Sequence, residues 1–582
     1  MSQIIASSSR RRDDQSSQVD CSSIQEADDE KALKSDVHVS ICKEIPELGD
    51  PAEEQRFWFQ RSKNYNPNAI ATQPSVFDDP DLAEEYKPHP SWENLHRFDP
   101  SARWTWAEEY KVVRKIDMRI LGFAILLLIA MEFDRSNIQQ ANADNFLAEL
   151  HLTRDDYNLG NTIFKLCYLS ADLPSQLFCK WLGVDRFLPM QMTAWAIVAS
   201  CQFWLSGRTS FLACRALLGI FQGGFTPAII LYFSYFYKHH ELSIRLGLWY
   251  SAISVADIIA GILAFGIFHL NDMVPGISGW RWLFLCEGIF TLLIGLVAFI
   301  LIPPSPTQTA NWARGKKGWF TEREEIIMVN RVIREDPSKG TMHNREAITF
   351  SLLRKSLFDF DLWPLYIIGL VFQMPYWTLS PYFTLLMKDF GFSTYQVILL
   401  AMPYSGINLV TRLGITYASE IFNSLAVMCI FAQLWTLPFL IYMNVVDFSN
   451  VNKWVAWTVL TLVLGFPQTH PIHAGWTSRN SNSVRSRAVA AALYNMFVQG
   501  GGMIGSNVYQ DSDAPRYVVG NRVLLIIICV NILVYSLTKL YYILRNRHRD
   551  RKWFTMTEDQ RMEYVATTTT EGNKRLDFRF SH

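Results

Sequence analysis

Twelve times between residues 116 and 545 the chain runs for about 20 residues with mostly apolar side chains. That is the length a helix needs to cross a bilayer at 1.5 Å per residue. The segments fall at 116–138, 157–179, 187–206, 211–236, 245–269, 281–302, 360–387, 394–417, 422–443, 453–472, 487–509 and 520–543. With 49% apolar and 19% charged residues, the chain reads as an all-α, multi-pass integral membrane protein with twelve transmembrane helices.

A polar stretch, 303–359, opens with Pro303, Pro304 and Pro306 and parts the segments into two six-helix bundles, 101–302 and 360–545. Within it, Thr321-Glu322-Arg323-Glu324 followed by Ile326, Ile327 and Val329 predicts a capped amphipathic helix. Residues 1–100, rich in Ser, Asp, Glu and Pro, read as a disordered tail with Trp58, Phe59 and Trp92 as its few anchors. Arg103 to Lys115 reads as an interfacial helix feeding the first span, and 546–582 as a second tail.

Charge placement sets the orientation. Arg186, Arg245, Arg479, Arg485, Arg487 and the run Arg545 to Lys552 mark the even-numbered connections and the end, whereas Asp144, Glu149, Asp272, Asp447 and Asp511 mark the odd ones. Both termini and the 303–359 loop are therefore expected on the cytoplasmic side. No apolar h-region precedes residue 115, so the first span must act as the signal. Seven of the nine cysteines sit in apolar stretches without metal or redox spacing and read as small buried side chains. Lys plus Arg equals Asp plus Glu at 54 each, which offers nothing to a nucleic acid. No phosphate-cradling loop, metal cluster or nucleophile elbow occurs, so neither an ATP-driven pump nor an enzyme is expected, and no cofactor or metal.

The apolar run Ile120–Ala130 ends in Glu132, Asp134 and Arg135. A charge there costs roughly 2.5 to 3.5 kcal/mol on insertion scales, so it must face a bundle interior, a partner or a wet cavity. Asp134 and Arg135 point about 100° apart on a helix and need not pair. Arg135 is a permanent cation suited to a bidentate anion, while a desolvated Asp134 can carry a proton. Arg215, Gly219 and Gln222 form one stripe. Lys165 and Asp172, seven residues apart, share a face, either as an anion-attracting Lys or as a neutralising pair. Gln373, Tyr376 and Trp377 beside Pro375 and Pro381 suggest a broken helix lining a cavity. Asn408 lies one turn from Arg412, and Asn495 and Gln499 face one way on the eleventh segment. His470 and His473 at the end of the tenth segment read either as groups titrating near neutrality or, as the favoured reading, as solvated or capping residues at a cytoplasmic mouth.

Twelve spans with a long central loop resemble the major facilitator superfamily, and Lys180 to Arg186 resembles its loop motif. Only the Asp185-Arg186 core carries over, as a charge cluster latching the cytoplasmic gate, because Leu188 and Pro189 depart from the pattern. Five stretches resemble the fungal allantoate permease branch of the anion:cation symporters. They are Phe133 to Ile138, Arg215 to Phe225, Gly279 to Phe284, Asp513 to Tyr517 and Asp577 to Phe580. Many relatives have Glu where this chain has Gln222, so coupling would fall to Asp134, Asp172, Asp257 or Glu287.

The resemblance implies a proton-coupled importer of a small organic anion, working as a monomer in the fungal plasma membrane. The stretches 139–146 and 156–161 are similar to sulfonate-type members, which favours sulfonates or related organosulfur anions. Carboxylates such as allantoate, nicotinate or pantothenate are the alternative. A nutrient-sensing receptor without bulk transport is a further one, and a cation exporter is disfavoured by Arg135, Lys165 and Arg215. The expected substrate wall is Arg135, Arg215, Lys165, Gln222, Gln373, Tyr376, Trp377, Asn408, Asn495 and Gln499.

Overall fold

Three helix starts coincide with side chains that cap them. In the computed structural model, Thr105 and Glu108 exchange backbone and side-chain hydrogen bonds at the head of α1, Trp106–Ile116. Thr153 and Asp156 do the same for α3, Arg154–Leu182, and Thr321 and Glu324 for α9, Glu322–Glu335. Each reciprocal pair satisfies amides that the first turn leaves without partners. The structure describes residues 48–49, 66–335, 337, 354 and 357–582, apart from 80–82, 84–85, 89, 91, 270–275, 423, 447–450, 482–483, 515, 558–559, 562–563, 565–571 and 577. The chain divides into Met1–Leu48 and Gly49–His582, and every element described belongs to the second. The expected anchors Trp58 and Phe59 lie outside the described residues.

All twelve apolar segments are helical. The first set is α2, Gly122–Ala141; α3; α4, Val184–Cys201; α5, Arg208–Gln222, continued by α6, Phe225–Phe233; α7, His239–Phe268; and α8, Gly279–Leu301. After α9 comes the second set: α10, Trp363–Val371, continued by α11, Met374–Asp389; α12, Thr394–Phe422; α13, Leu425–Val445; α14, Lys453–Leu464, continued by α15, His470–Ser481; α16, Val484–Gly505; and α17, Val518–Thr555. No strand occurs among the described residues beyond two isolated bridges.

Among the described residues, six helical stretches are long and apolar enough to cross a membrane by length and composition: Arg208–Phe233, Ile244–Phe268, Gly279–Leu301, Thr394–Ser419, Leu425–Val445 and Val518–Thr555. The others carry charges or breaks, and several of those bear the candidate site residues. The break between α5 and α6 falls at Gly223-Gly224, where Gly224 takes φ +81°, a left-handed conformation that glycine adopts without strain. A second break precedes Pro375, which sits in the first turn of α11.

Within the first set, α4 packs on α8, α3 on α5, and α2 on both α7 and α8; within the second, α13 packs on α17 and α10 on α16. The sets meet along α7 against α12 and α3 against α16. Gly219 and Gly223 let α5 approach α3 closely, since an added Cβ would stand 2.4 Å from the Phe164 carbonyl oxygen and 2.7 Å from that of Tyr168.

Part of the stretch assigned by composition to a tail packs as well. Phe77 and Trp92 are buried against Val329 and Ile333 of α9, and the Arg334 guanidinium pairs with Asp78 at 2.5 Å. At the other terminus Phe580 stacks on Tyr542 at 5.0 Å, and the Ser581 carbonyl accepts the Trp476 indole N–H at 2.8 Å.

Candidate functional site

One stripe of α3, residues 161, 164, 165 and 168, follows the spacing that keeps side chains on a single helix face. It receives a cation at nearly every turn. The Arg215 guanidinium donates to Asn161 Oδ1 at 2.9 Å and lies over the Phe164 ring at 4.7 Å. Arg135, reaching from α2, lies over the Tyr168 ring at 5.4 Å. Its Nε–H donates to Gln222 Oε1 at 2.9 Å, and Nη1 to Glu132 Oε1 at 3.1 Å. Gln222 is fully buried at the end of α5, so the Gly223-Gly224 break fixes the level of this pair. Arg135, Arg215 and Gln222 are thereby brought onto one wall.

Lys165 does not pair with Asp172. Its ammonium donates across the seam to the Gly502 carbonyl at 2.7 Å and Ser506 Oγ at 2.6 Å, and lies 4.4 Å from the Trp377 ring centroid. Asp172 is two turns further on, with Oδ1 buried and without a hydrogen-bond partner.

Asp134 faces the other way. Its Oδ2 accepts the Trp195 indole N–H at 3.2 Å, while Oδ1 is buried without a hydrogen-bond partner. Glu287 of α8 is 2% exposed, both its carboxyl oxygens lack partners, and it senses the Asp134 charge. These two carboxyls sit between α2, α4 and α8, behind the wall that Arg135 faces. A single chamber shared by Asp134, Arg135 and Arg215 would need all three to face one way; the two arginines line the same stripe of α3, whereas the Asp134 carboxyl packs against Trp195, away from them.

From the second set, Tyr376 packs on Trp377 and Phe466 near the α10–α11 break, and Gln373 is buried at that break. Asn408 donates to the Leu464 and Phe466 carbonyls at 3.3 and 3.1 Å, holding the α14–α15 break. Asn495 and Gln499 are half-buried on successive turns of α16. Asp185 is half-buried and Arg186 exposed at the start of α4, after Gly183 at φ +85°.

Two further ionisable residues stand at the seam, Arg412 and Asp257. Arg412 donates to Asn408 Oδ1 at 2.7 Å, to Gln468 Oε1, and across the seam to the Tyr250 carbonyl at 3.1 Å. Asp257 lines a cavity between the sets with Gln139, Tyr404 and Ser405. An Arg inside an apolar segment was the available signal. The histidines need correcting: His473 is fully buried and bonded to the Tyr494 and Tyr535 hydroxyls at 3.1 and 2.9 Å, and His470 stacks on Phe372. Close packing on aromatic rings, invisible in local spacing, takes His473 from solvent and leaves His470 half-buried.

Bonds between the two sets concentrate towards one end. Arg154 pairs with Asp389 at 3.0 Å, Lys388 donates to Asn145 at 2.7 Å, Thr394 to the Ala143 carbonyl at 2.9 Å, and Asn158 to the Tyr509 carbonyl at 2.7 Å. Two helical sets, fastened towards one end and carrying ionisable side chains at their seam, define an integral multi-pass membrane transporter, and not an enzyme.

Residues 120–506 match the Major Facilitator Superfamily, and the chain belongs to that family. It is 40% identical over 510 residues, 87% of this chain and 94% of the relative, to an uncharacterized transporter of Saccharomyces cerevisiae. It is 26% identical over 417 residues, 70% of this chain and 81% of the relative, to the major facilitator-type transporter hxnP of Emericella nidulans. Among solved structures, an inward-facing bacterial homologue of the lysosomal transporter Spinster matches with TM-score 0.54 at 14% identity, covering 75% of this chain and 98% of that one. The xylose transporter XylE of E. coli, partially occluded and inward open, matches with TM-score 0.52 at 14% identity, covering 72% and 96%. At such identity the likeness is one of fold alone.

Proposed function

We propose that this transporter imports a small organic anion together with protons, by alternating access of its two helical sets around the Arg135 wall. The observation that carries the reading is a pair of guanidinium groups on one wall, Arg215 buried and Arg135 half-buried. Arg135 and Arg215 are held on one face of α3 by the neutral acceptors Gln222 and Asn161, so among the described residues only Glu132 forms an ion pair with either. A cationic wall so arranged attracts an anion and repels a cation. Lys165, Gln373, Tyr376, Trp377, Asn408, Asn495 and Gln499 complete the path on this reading.

The proton is assigned to the carboxyls behind that wall, Asp134 and Glu287, with Asp172 as a further carrier. Two neighbouring carboxyl groups with unsatisfied oxygens in a low-dielectric core cannot both be charged at modest cost, so one holds a proton. A solved structural neighbour is a D-xylose-proton symporter, which supports proton coupling as a capacity of the fold. Sulfonates or related organosulfur anions are the favoured cargo, with carboxylates such as allantoate, nicotinate or pantothenate second. The proposal includes twelve spans, cytoplasmic termini and central loop, an Asp185-Arg186 gate, a monomeric unit and residence in the plasma membrane. Uptake of a radiolabelled panel of sulfonates and carboxylates at two pH values tests it. Faster uptake of one class at acid pH is expected, and pH-independent uptake or none at all defeats the proposal.

A further inference from the structure

Beside the guanidinium wall, the seam carries a carboxylate that no cation among the described residues pairs with directly, Arg412 acting on it only at longer range. Asp257 of α7 lines a cavity of about 30 Å³ with Ser136 and Gln139 of α2, Thr384 of α11, and Tyr404 and Ser405 of α12. Among the described residues it has neither an ion-pair nor a hydrogen-bond partner. The nearby cations are committed elsewhere: Arg412 to Asn408, Gln468 and the Tyr250 carbonyl, and Arg135 to Glu132 and Gln222. Tyr376 and Tyr404 both lie within electrostatic reach of the Asp257 carboxyl, and the Tyr404 hydroxyl accepts from Gln139 at 3.4 Å.

An unpaired carboxylate within a membrane is costly and is retained where a ligand or ion answers it. Its surroundings describe that ligand group. Hydroxyl and amide oxygens accept N–H donors, and phenol rings favour a cation over their faces. The cavity has room for one or two water-sized groups, which matches a compact ammonium and excludes a guanidinium or a bulky ring. Gln139 is one turn beyond Arg135 on the same helix, about 6 Å along the axis, so a small molecule can touch both poles.

Resting on the reading that Arg135 holds the anion, we propose that the transported molecule is a small zwitterion whose ammonium group is bound at Asp257, among Ser136, Gln139, Tyr404 and Ser405. Asp257 then sets specificity between an aminated anion and its unaminated counterpart.

The test uses the full-length chain in cells lacking competing uptake, with two matched pairs: 2-aminoethanesulfonate against ethanesulfonate, and 3-aminopropanoate against propanoate. The wild type is expected to take up the aminated member of one pair at least about tenfold faster, the discrimination that hydrogen bonds to a charged group supply. Asp257→Asn should bring that pair within about threefold while leaving uptake of the unaminated anion in place, and Asp257→Glu should keep the preference. Tyr404→Phe, a milder change, should narrow the gap by a smaller factor. Equal uptake of both members by the wild type overturns the inference without touching the anion reading. So does an Asn variant that keeps its preference but loses pH dependence, which makes Asp257 a proton site. Failure of the wild type to carry either member of either pair overturns this inference, and the anion reading falls with it only if the wider sulfonate and carboxylate panel is refused as well.

Discussion

Gln222→Glu puts a charge where an amide oxygen now accepts the Arg135 Nε–H at 2.9 Å. An anion on the far edge of that guanidinium would stand about 6 Å from the new carboxylate. At an effective dielectric constant of about 20, the repulsion is about 332/(20 × 6), or ~2.8 kcal/mol. That is about a hundredfold rise in KM at neutral pH. Protonation of the new carboxyl removes the repulsion, so KM should fall back towards the wild-type value as the medium is acidified. Gln222→Ala separates charge from contact: it deletes the hydrogen bond without adding an anion, and should cost about 0.5 to 1.5 kcal/mol, roughly tenfold or less. Initial rates of anion uptake over a range of concentrations, at neutral and acid pH and normalised to protein in the membrane, measure all three. If Gln222→Glu leaves KM unchanged at both pH values, or matches Gln222→Ala at both, Arg135 is not where the anion sits.

Arg135→Ala and Arg215→Ala should each reduce uptake by about a hundredfold or more at normal membrane abundance, the scale of a lost charge-assisted pair; wild-type uptake by either variant removes that residue from the path. Asp134→Asn keeps an oxygen for the Trp195 indole N–H, so it should fold, lose accumulation against a gradient and retain exchange; an unaltered pH dependence would place coupling elsewhere. Burial works against the charge of Glu109, but Lys238 at 2.5 Å and Arg331 at 3.6 Å outweigh it and hold the carboxyl below its ordinary value of 4.5. Because the folded-state pKa is the lower one, its stabilisation is complete above about pH 4.5 and fades as pH falls through the folded value; Glu109→Gln should cost roughly 3 to 5 kcal/mol near neutrality and flatten the acid limb of a thermal-unfolding profile, whereas a wild-type acid limb contradicts the assignment. Lys165→Met removes two bonds across the seam and should raise maleimide labelling of an Asn158→Cys probe severalfold; unchanged labelling means those bonds do not hold that end shut.

The helices were legible because lipid leaves a chain few alternatives: every backbone polar group must be paired within the segment, so length and apolarity suffice. The breaks were partly legible too, since Pro375 and Gly223-Gly224 advertise backbone that cannot continue an ordinary helix. Partners across the bundle were not. Lys165 and Asp172 share a face by periodicity, yet Lys165 is satisfied by Gly502 and Ser506, more than three hundred positions away. Helical spacing fixes which way a side chain points and says nothing of what stands opposite. The same limit hid the Trp195 and Glu287 surroundings of Asp134, and the Tyr494 and Tyr535 hydroxyls that bury His473. Composition misled at the amino-terminal side, where sparse aromatics such as Phe77 and Trp92 are enough to seat a polar stretch on α9.

Placing Asp134 behind the wall strengthens the proposed coupling. A carboxyl in the same chamber as the anion would interact with it directly, and coupling would need no motion. Here the two groups are consecutive residues on α2, about 100° apart and packed against different helices, so whatever reseats one re-aims the other. With a proton shared between Asp134 and Glu287, α2 can rest against α4 and α8 without an exposed charge at their contact. Loss of that proton leaves two like charges in a low-dielectric core, and the repulsion favours a shift of α2 away from α8. Such a shift carries Arg135 with it, loosening its bonds to Gln222 on α5 and its contact with Tyr168 on α3. The Gly219 and Gly223 seat keeps α5 pressed on α3, so the displacement falls on the α2 side of the wall. On the proposed reading the anion would then leave when the proton does, the order that import driven by an inward proton gradient requires.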